Sequence, residues 1–131
     1  MRTGLLIAEG DAELRSMYDR LSSALGLSVE TSADGLECWT KIRARRPDAL
    51  VVDMEIRWGG GDGVVACLRE DSDGTPVPAI FVTGDDRPDV LSRRFGIPLG
   101  QCFQKPFRFG ALLDSVCAVV AATRQCEART G

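Results

Sequence analysis

No histidine occurs anywhere in the 131 residues. That excludes a Ser-His-Asp triad, a histidine general base and histidine-ligated zinc. Any chemistry must rest on Asp, Glu, Lys, Ser, Thr or Cys. No apolar run is long enough to cross a bilayer, and no basic-plus-apolar leader follows Met1. The expectation is a cytoplasmic protein with no membrane partner. The five cysteines, Cys38, Cys67, Cys102, Cys117 and Cys126, are odd in number and contain no C-x-x-C pair. They form neither a disulfide framework nor a zinc site, and they read as small apolar fillers. Excess positive charge is also missing. The net charge is −3, which argues against nucleic acid as a main partner. The one basic cluster, Lys41 to Arg46 just before Pro47, reads as a solvated helix C-terminus, where cations favour the dipole.

What is there is an ordinary globular balance, 44% hydrophobic and 27% charged residues, in a length that suits one domain with one core. Short apolar runs recur at Leu5–Ala8, Ala49–Val52 and Ala79–Val82. They lack alternation, as strands buried on both faces do. Val29 and the Cys102-Phe103 pair are weaker strand signals. Helical spacing fills the intervals: Leu14, Met17, Tyr18, Leu21 and Leu25; then Cys38, Trp39 and Ile42; then Val64, Cys67 and Leu68; then Leu91 and Phe95; then Leu112, Leu113, Val116 and Val120. Gly26, Pro47, and Gly96 with Pro98 mark helix ends. A strand-helix unit repeated five times requires parallel strands joined by right-handed crossovers. The expected fold is α/β, a doubly wound five-stranded parallel sheet, over residues 1–123, with a short polar tail at 124–131 that frays.

In such sheets, sites form beyond the carboxyl ends of the strands. Glu9, Gly10 and Asp11 follow the first strand, Asp53 ends the third, Thr83-Gly84 ends the fourth, and Lys105-Pro106 follows the fifth. No one of these is specific, but acids, a hydroxyl and a lysine arriving from four strands form a distinctive set.

That set resembles the response-regulator receiver family, from Leu5 to about Val120. The matching pieces are Glu9 after an apolar strand, PDALVVD ending at Asp53, Asp62-Gly63, PAIFVTG with Thr83, and FQKPF with Lys105-Pro106. The resemblance implies a flavodoxin-like receiver fold and a switch in a two-component phosphorelay rather than an enzyme. Asp53 would accept a phosphoryl group from a histidine kinase or phosphotransfer partner. Lys105 would pair with Asp53 and then with the phosphoryl oxygens, and Thr83 would move to hydrogen-bond them. Glu9, Asp53 and the backbone carbonyl of Glu55 would hold magnesium, and the Lys105-Pro106 bond would be cis. A downstream partner, or another copy of the chain, would meet the face of the fourth and fifth helices, where Arg87, Arg93, Arg94 and Arg108 gather. The physics agrees, because a carboxylate attacks phosphorus only when the oxygen charges are neutralised, as magnesium and an ammonium group do.

Three positions depart from the family pattern. Gly10 stands where a second acid usually follows the first and binds magnesium more directly. Losing that carboxylate implies metal binding about 10- to 1,000-fold weaker. Asp11, next along, suits a helix N-cap better than a ligand role through water. The loop after Asp53, MEIRWGGGDG, has Arg57 where proline is usual, and it runs two residues longer than usual to Asp62-Gly63. It carries Trp58, read either as folded onto the domain or as a docking or lid element. Cys102 replaces the usual aromatic three residues before the lysine, and Phe103 points to the other face of the strand.

The leading expectation is a stand-alone receiver. The alternative is a pseudo-receiver, a binding module of the same fold without metal-dependent phosphorylation. An aspartate-based phosphohydrolase is weaker, because Asp53 is followed by Met54 and Glu55 rather than by D-x-D. A flavodoxin-like nucleotide binder is weaker still, because no phosphate-cradling loop opens the first helix.

Overall fold

The computed structural model describes residues 3–71 and 77–130, with side chains to residue 125. Among these residues, five strands and five helices alternate: β1 (Gly4–Ala8), α1 (Ala12–Ala24), β2 (Ser28–Ser32), α2 (Gly35–Ala44), β3 (Ala49–Asp53), α3 (Gly60–Glu70), β4 (Ala79–Thr83), α4 (Pro88–Phe95), β5 (Cys102–Gln104) and α5 (Phe109–Thr130). A 3-10 turn, Leu99–Gln101, precedes β5. The sheet is parallel throughout, in the order β2-β1-β3-β4-β5. The doubly wound expectation is met.

The unalternating strand sequences are explained by two cores, one on each face of the sheet. Leu6, Ala8, Leu50, Val52, Ala79, Phe81 and Cys102 pack under α2, α3 and α4, with Cys38, Ile42, Val64 and Leu91. Their neighbours along the chain, Leu5, Ile7, Ala49, Val51, Ile80 and Val82, pack under α1 and α5 with Tyr18, Leu112, Val116 and Val120. Because side chains alternate along a strand, a strand covered on both sides must be apolar at every position. β2 is an edge strand with Ser28 and Glu30 exposed, so Val29 was its only apolar mark.

Helix ends follow the local chemistry. Asp11 caps α1, its Oδ1 accepting from the N–H groups of Glu13 at 2.8 Å and Leu14 at 3.1 Å. Gly26 and Gly96 adopt positive φ, 82° and 65°, just past or at the ends of α1 and α4. Two boundaries differ from expectation. α3 begins at Gly60, so Gly61, Asp62 and Gly63 lie in its first turn rather than in the loop. The glycines make this turn practicable: a Cβ on Gly61 would approach the Met54 Cα to 2.7 Å. α5 also continues past residue 124 and is helical to Thr130. Arg124, Gln125, Glu127, Ala128 and Arg129 are adequate to good helix formers, and no breaker intervenes before Gly131.

Cys38 and Cys102 are buried as expected, Cys67 is half-buried, and Cys117 is exposed. The side chain of Cys126 lies outside those described. Burial pushes the Cys38 thiol up to about 11 and also raises that of Cys102, so neither is a ready thiolate at neutral pH.

The long loop after β3 is pinned to α2. Gly35 N–H donates to the Arg57 carbonyl at 2.8 Å, and the Trp58 carbonyl lies against the Gly35 Cα, where a Cβ would collide with it. Trp58 itself sits at φ 63°, a left-handed conformation that costs a non-glycine residue about 1–2 kcal/mol. Its indole is 71% exposed, so it is not folded onto the domain. Gly35→Ala is expected to lower stability by about 1–3 kcal/mol in urea unfolding, through overpacking against this loop. A change below 0.5 kcal/mol would mean the loop moves aside at little cost.

Candidate functional site

The strand order places the switch point between β1 and β3, whose successors run outward in opposite directions. A crevice opens there beyond the carboxyl ends of the strands. Ala8 pairs in register with Val52, so Glu9 and Asp53 leave the sheet side by side. Lys105 N–H donates to the Thr83 carbonyl at 2.8 Å, which aligns the residue after β5 with the end of β4. The Lys105-Pro106 peptide is cis.

Lys105 Nζ donates to Glu9 Oε1 at 2.7 Å and to Asp53 Oδ2 at 3.1 Å. One ammonium group thus links three strands. The other oxygen of each acid is also engaged: Glu9 Oε2 accepts from Asp11 N–H at 3.2 Å, and Asp53 Oδ1 accepts from Glu55 N–H at 3.0 Å. Both acids are nearly closed to solvent, Glu9 at 2% and Asp53 at 7% exposure.

Burial raises the Glu9 carboxyl above its ordinary range, with a hydrogen bond to Asp53 adding to it; Lys105 offsets only part. For Lys105, burial works against the charge, but the hydrogen bonds and fields of Glu9 and Asp53 prevail and push it up to about 12. Both shifts act in the same direction with pH, because each makes the folded state the tighter proton binder. A raised lysine stabilises the fold fully below its ordinary 10.5, and that contribution is lost as pH climbs through about 12. A raised carboxyl makes the folded state hold its proton longer, so its contribution declines as pH rises past its ordinary 4.5.

Thr83 is fully buried. Its Oγ1 donates to Glu55 Oε2 at 2.9 Å and accepts from the N–H groups of Asp85 at 3.1 Å and Asp86 at 3.2 Å. Gly84 N–H donates to the second oxygen of Glu55. Of Glu55, only the backbone carbonyl was expected at the site from the sequence, not this side chain. The signal available was an acid two residues beyond the strand end, within reach of the next strand. Arg15 was missed as well. From the first turn of α1, its Nη1 donates to the carbonyls of Glu9 at 2.8 Å and Gly10 at 3.0 Å, holding that loop in place.

Gly10 has no conformational reason to be glycine. Its φ is not positive, and a Cβ there would meet nothing nearer than the Ala33 carbonyl at 3.9 Å. Asp11 spends its carboxylate on the helix cap rather than on the crevice. Among the described residues, no group of three or more Asp, Glu, His or Cys side chains converges as a metal cluster. The carboxylates of Glu9 and Asp53 offer only oxygen donors. They fit magnesium, which binds through one or two carboxylates while retaining several waters.

Beside Lys105, a recess of about 480 Å³ is walled by Leu14, Met17, Tyr18, Pro106, Phe107 and Phe109. Tyr18 stacks on Phe107 and Phe109 with ring centroids 6.4 and 5.9 Å apart. On the opposite side of the sheet, the arginines at and in α4 are paired: Arg87 and Arg93 with Asp89, and Arg94 with Asp62 of α3 and with Asp86. No described helix is long and apolar enough to cross a membrane.

Lys105→Met leaves two buried carboxylates without their cation. It is expected to cost roughly 1–3 kcal/mol at neutral pH, less than a fully buried pair because Lys105 is partly exposed. The deficit should shrink as pH falls and Glu9 takes a proton. Urea unfolding at several pH values measures this, and a deficit independent of pH would contradict the charge account.

Comparison with known proteins gives this arrangement a family. Residues 5–117 match the response regulator receiver domain. Response regulator MprA of Mycobacterium bovis is 32% identical over 130 residues, covering 98% of this chain and 55% of the relative. MprA of Mycobacterium avium is 32% identical over 122 residues, covering 92% of this chain and 52% of its own length. The chain therefore spans about half the length of these relatives. Among solved structures, chemotaxis response regulator CheY4 of Vibrio cholerae has a TM-score of 0.77 at 24% identity, covering 91% of this chain and 99% of that one. The receiver domain of Francisella response regulator 1452 has a TM-score of 0.81 at 19% identity, covering 93% of this chain and 99% of that one. Both share the fold. The chain belongs to the response-regulator receiver family, the signalling switches of two-component systems.

Proposed function

We propose that Asp53 accepts a phosphoryl group from the phosphohistidine of a kinase or phosphotransfer protein, and that the chain works as a phosphorylation switch. The observation that carries this reading is the ammonium of Lys105 held between Asp53 and Glu9 at 3.1 and 2.7 Å. An oxygen of Asp53 attacks phosphorus, the P–N bond breaks, and its electron pair leaves with the donor imidazole. Lys105 bonds the phosphoryl oxygens and balances part of their charge. Glu9, Asp53 and the Glu55 carbonyl are the residues that would hold magnesium. When bound, it neutralises further charge on the transferring group. The product carries about two negative charges and draws the Thr83 hydroxyl toward it. Self-hydrolysis of the aspartyl phosphate resets the switch slowly.

The aromatic recess beside Lys105 offers the phosphodonor an apolar contact next to the acceptor. The α4 and α5 face, where Val90 is 38% exposed between paired arginines, is the surface for a downstream protein or a second copy. The usual relay through a rotating aromatic before Lys105 does not apply, because Cys102 occupies that position, packed into the core beneath α4. Output must therefore depend on the loops after β3 and β4.

Beryllofluoride, a non-covalent phosphoryl mimic, tests the reading. Magnesium-dependent saturation, followed by amide shifts around Asp53 and by Trp58 fluorescence, is expected and should disappear in Asp53→Asn. No response at millimolar magnesium would favour a binding module that is not phosphorylated in a metal-dependent way, the reading that Gly10 supports. In Gly10→Asp the added Cβ has open space, with nothing nearer than the Ala33 carbonyl at 3.9 Å. The substitution should tighten magnesium about 10- to 1,000-fold by restoring a carboxylate, as measured by direct metal titration. Unchanged affinity would show that the missing acid is not what limits the site.

A further inference from the structure

The two donors at the end of β4 are already occupied. Thr83 Oγ1 has one proton to give and gives it to Glu55 Oε2 at 2.9 Å. Its acceptor capacity is filled by the N–H groups of Asp85 and Asp86. Gly84 N–H goes to the other oxygen of the same carboxylate. Glu55 therefore takes two converging donors with its two oxygens, in the way a phosphoryl oxyanion would. Its backbone N–H meanwhile donates to Asp53 Oδ1 at 3.0 Å, so the residue bridges the acceptor and the hydroxyl that has to respond to it. Gly84 leaves the space for this: a Cβ there would come within 3.2 Å of Glu55 Oε1.

We propose that the Glu55 carboxylate is a built-in occupant of the phosphoryl cradle, holding Thr83 and Gly84 until a phosphoryl group on Asp53 displaces it. This rests on the phosphorylation reading and adds a threshold to it. A monoanion and a phosphoryl dianion cannot both take the Thr83 proton. They also repel each other across so short a gap. The phosphoryl group prevails by its greater charge and its three acceptor oxygens. Glu55 loses little by leaving, because it is an exposed residue with a flexible side chain that water can solvate once released. Its carbonyl remains in place for the metal, so displacement of the side chain and magnesium binding are compatible. Glu55 is thus a positioning residue that sets how much phosphoryl affinity is needed to move Thr83.

The test compares wild type, Glu55→Ala and Glu55→Gln by beryllofluoride titration at saturating magnesium, with amide hydrogen exchange at Gly84 measured in the unliganded proteins. Glu55→Ala should bind beryllofluoride about tenfold more tightly than wild type, and its Gly84 amide should exchange faster. Glu55→Gln, which keeps the shape but lacks the charge, should shift in the same direction by less. Equal beryllofluoride affinity in all three proteins would overturn the proposal while leaving phosphorylation of Asp53 intact. Binding by none of them would remove the phosphorylation reading and the proposal with it.

Discussion

The bridging ammonium of Lys105 is the interaction on which the rest of the site depends. Glu9 and Asp53 leave adjacent strands into a crevice that excludes most water. Two carboxylates placed so would raise each other's affinity for protons until at least one was neutral. Lys105 offsets part of that cost and ties β1, β3 and β5 at their carboxyl ends with two hydrogen bonds. The β4–β5 pairing that delivers it, with Lys105 N–H on the Thr83 carbonyl, therefore serves the site as much as the sheet. The resting crevice is balanced around one cation. Any phosphoryl group arriving there finds that cation already shared.

The β3 loop shows a different constraint. A connection that runs into three successive glycines, Gly59 at its end and Gly60 and Gly61 opening α3, would ordinarily be a mobile one. Here its backbone is fastened at both ends, by Gly35 N–H to the Arg57 carbonyl and by Gly61 N–H to the Met54 carbonyl. The glycines are used for close approach and for φ values that other residues resist. Trp58 is held in a left-handed conformation with its ring in solvent. The exposed ring of Trp58 is thus presented by a tethered backbone.

The sheet was legible because β1, β3 and β4 are covered on both faces, so Leu5–Ala8, Ala49–Val52 and Ala79–Val82 could not alternate. β2 was faint because Ser28 and Glu30 face solvent on an edge. The site residues Glu9, Asp53, Thr83 and Lys105 could be placed together because topology alone brings strand ends to one side. What stayed hidden depends on where a side chain points. The carboxylate of Glu55 and the guanidinium of Arg15 reach across loops, and no spacing rule records a hydrogen bond between residues 28 apart. The early start of α3 was hidden for a related reason. Its first turn is made of glycines, which carry no periodicity, and only the proximity of Met54 shows why they are there.

Gly10 can be set against the other glycines near the site. Gly35 and Gly61 are entrenched, because neighbouring backbone fills the space their Cβ would need. Gly10 is not. The chain around it has an ordinary conformation, open space and an intact helix cap at Asp11. Nothing in the local backbone or its neighbours therefore requires glycine at position 10. The rim of the crevice at position 10 can thus be varied independently of the packed turns at Gly35 and Gly61, whose missing Cβ atoms hold neighbouring backbone in place.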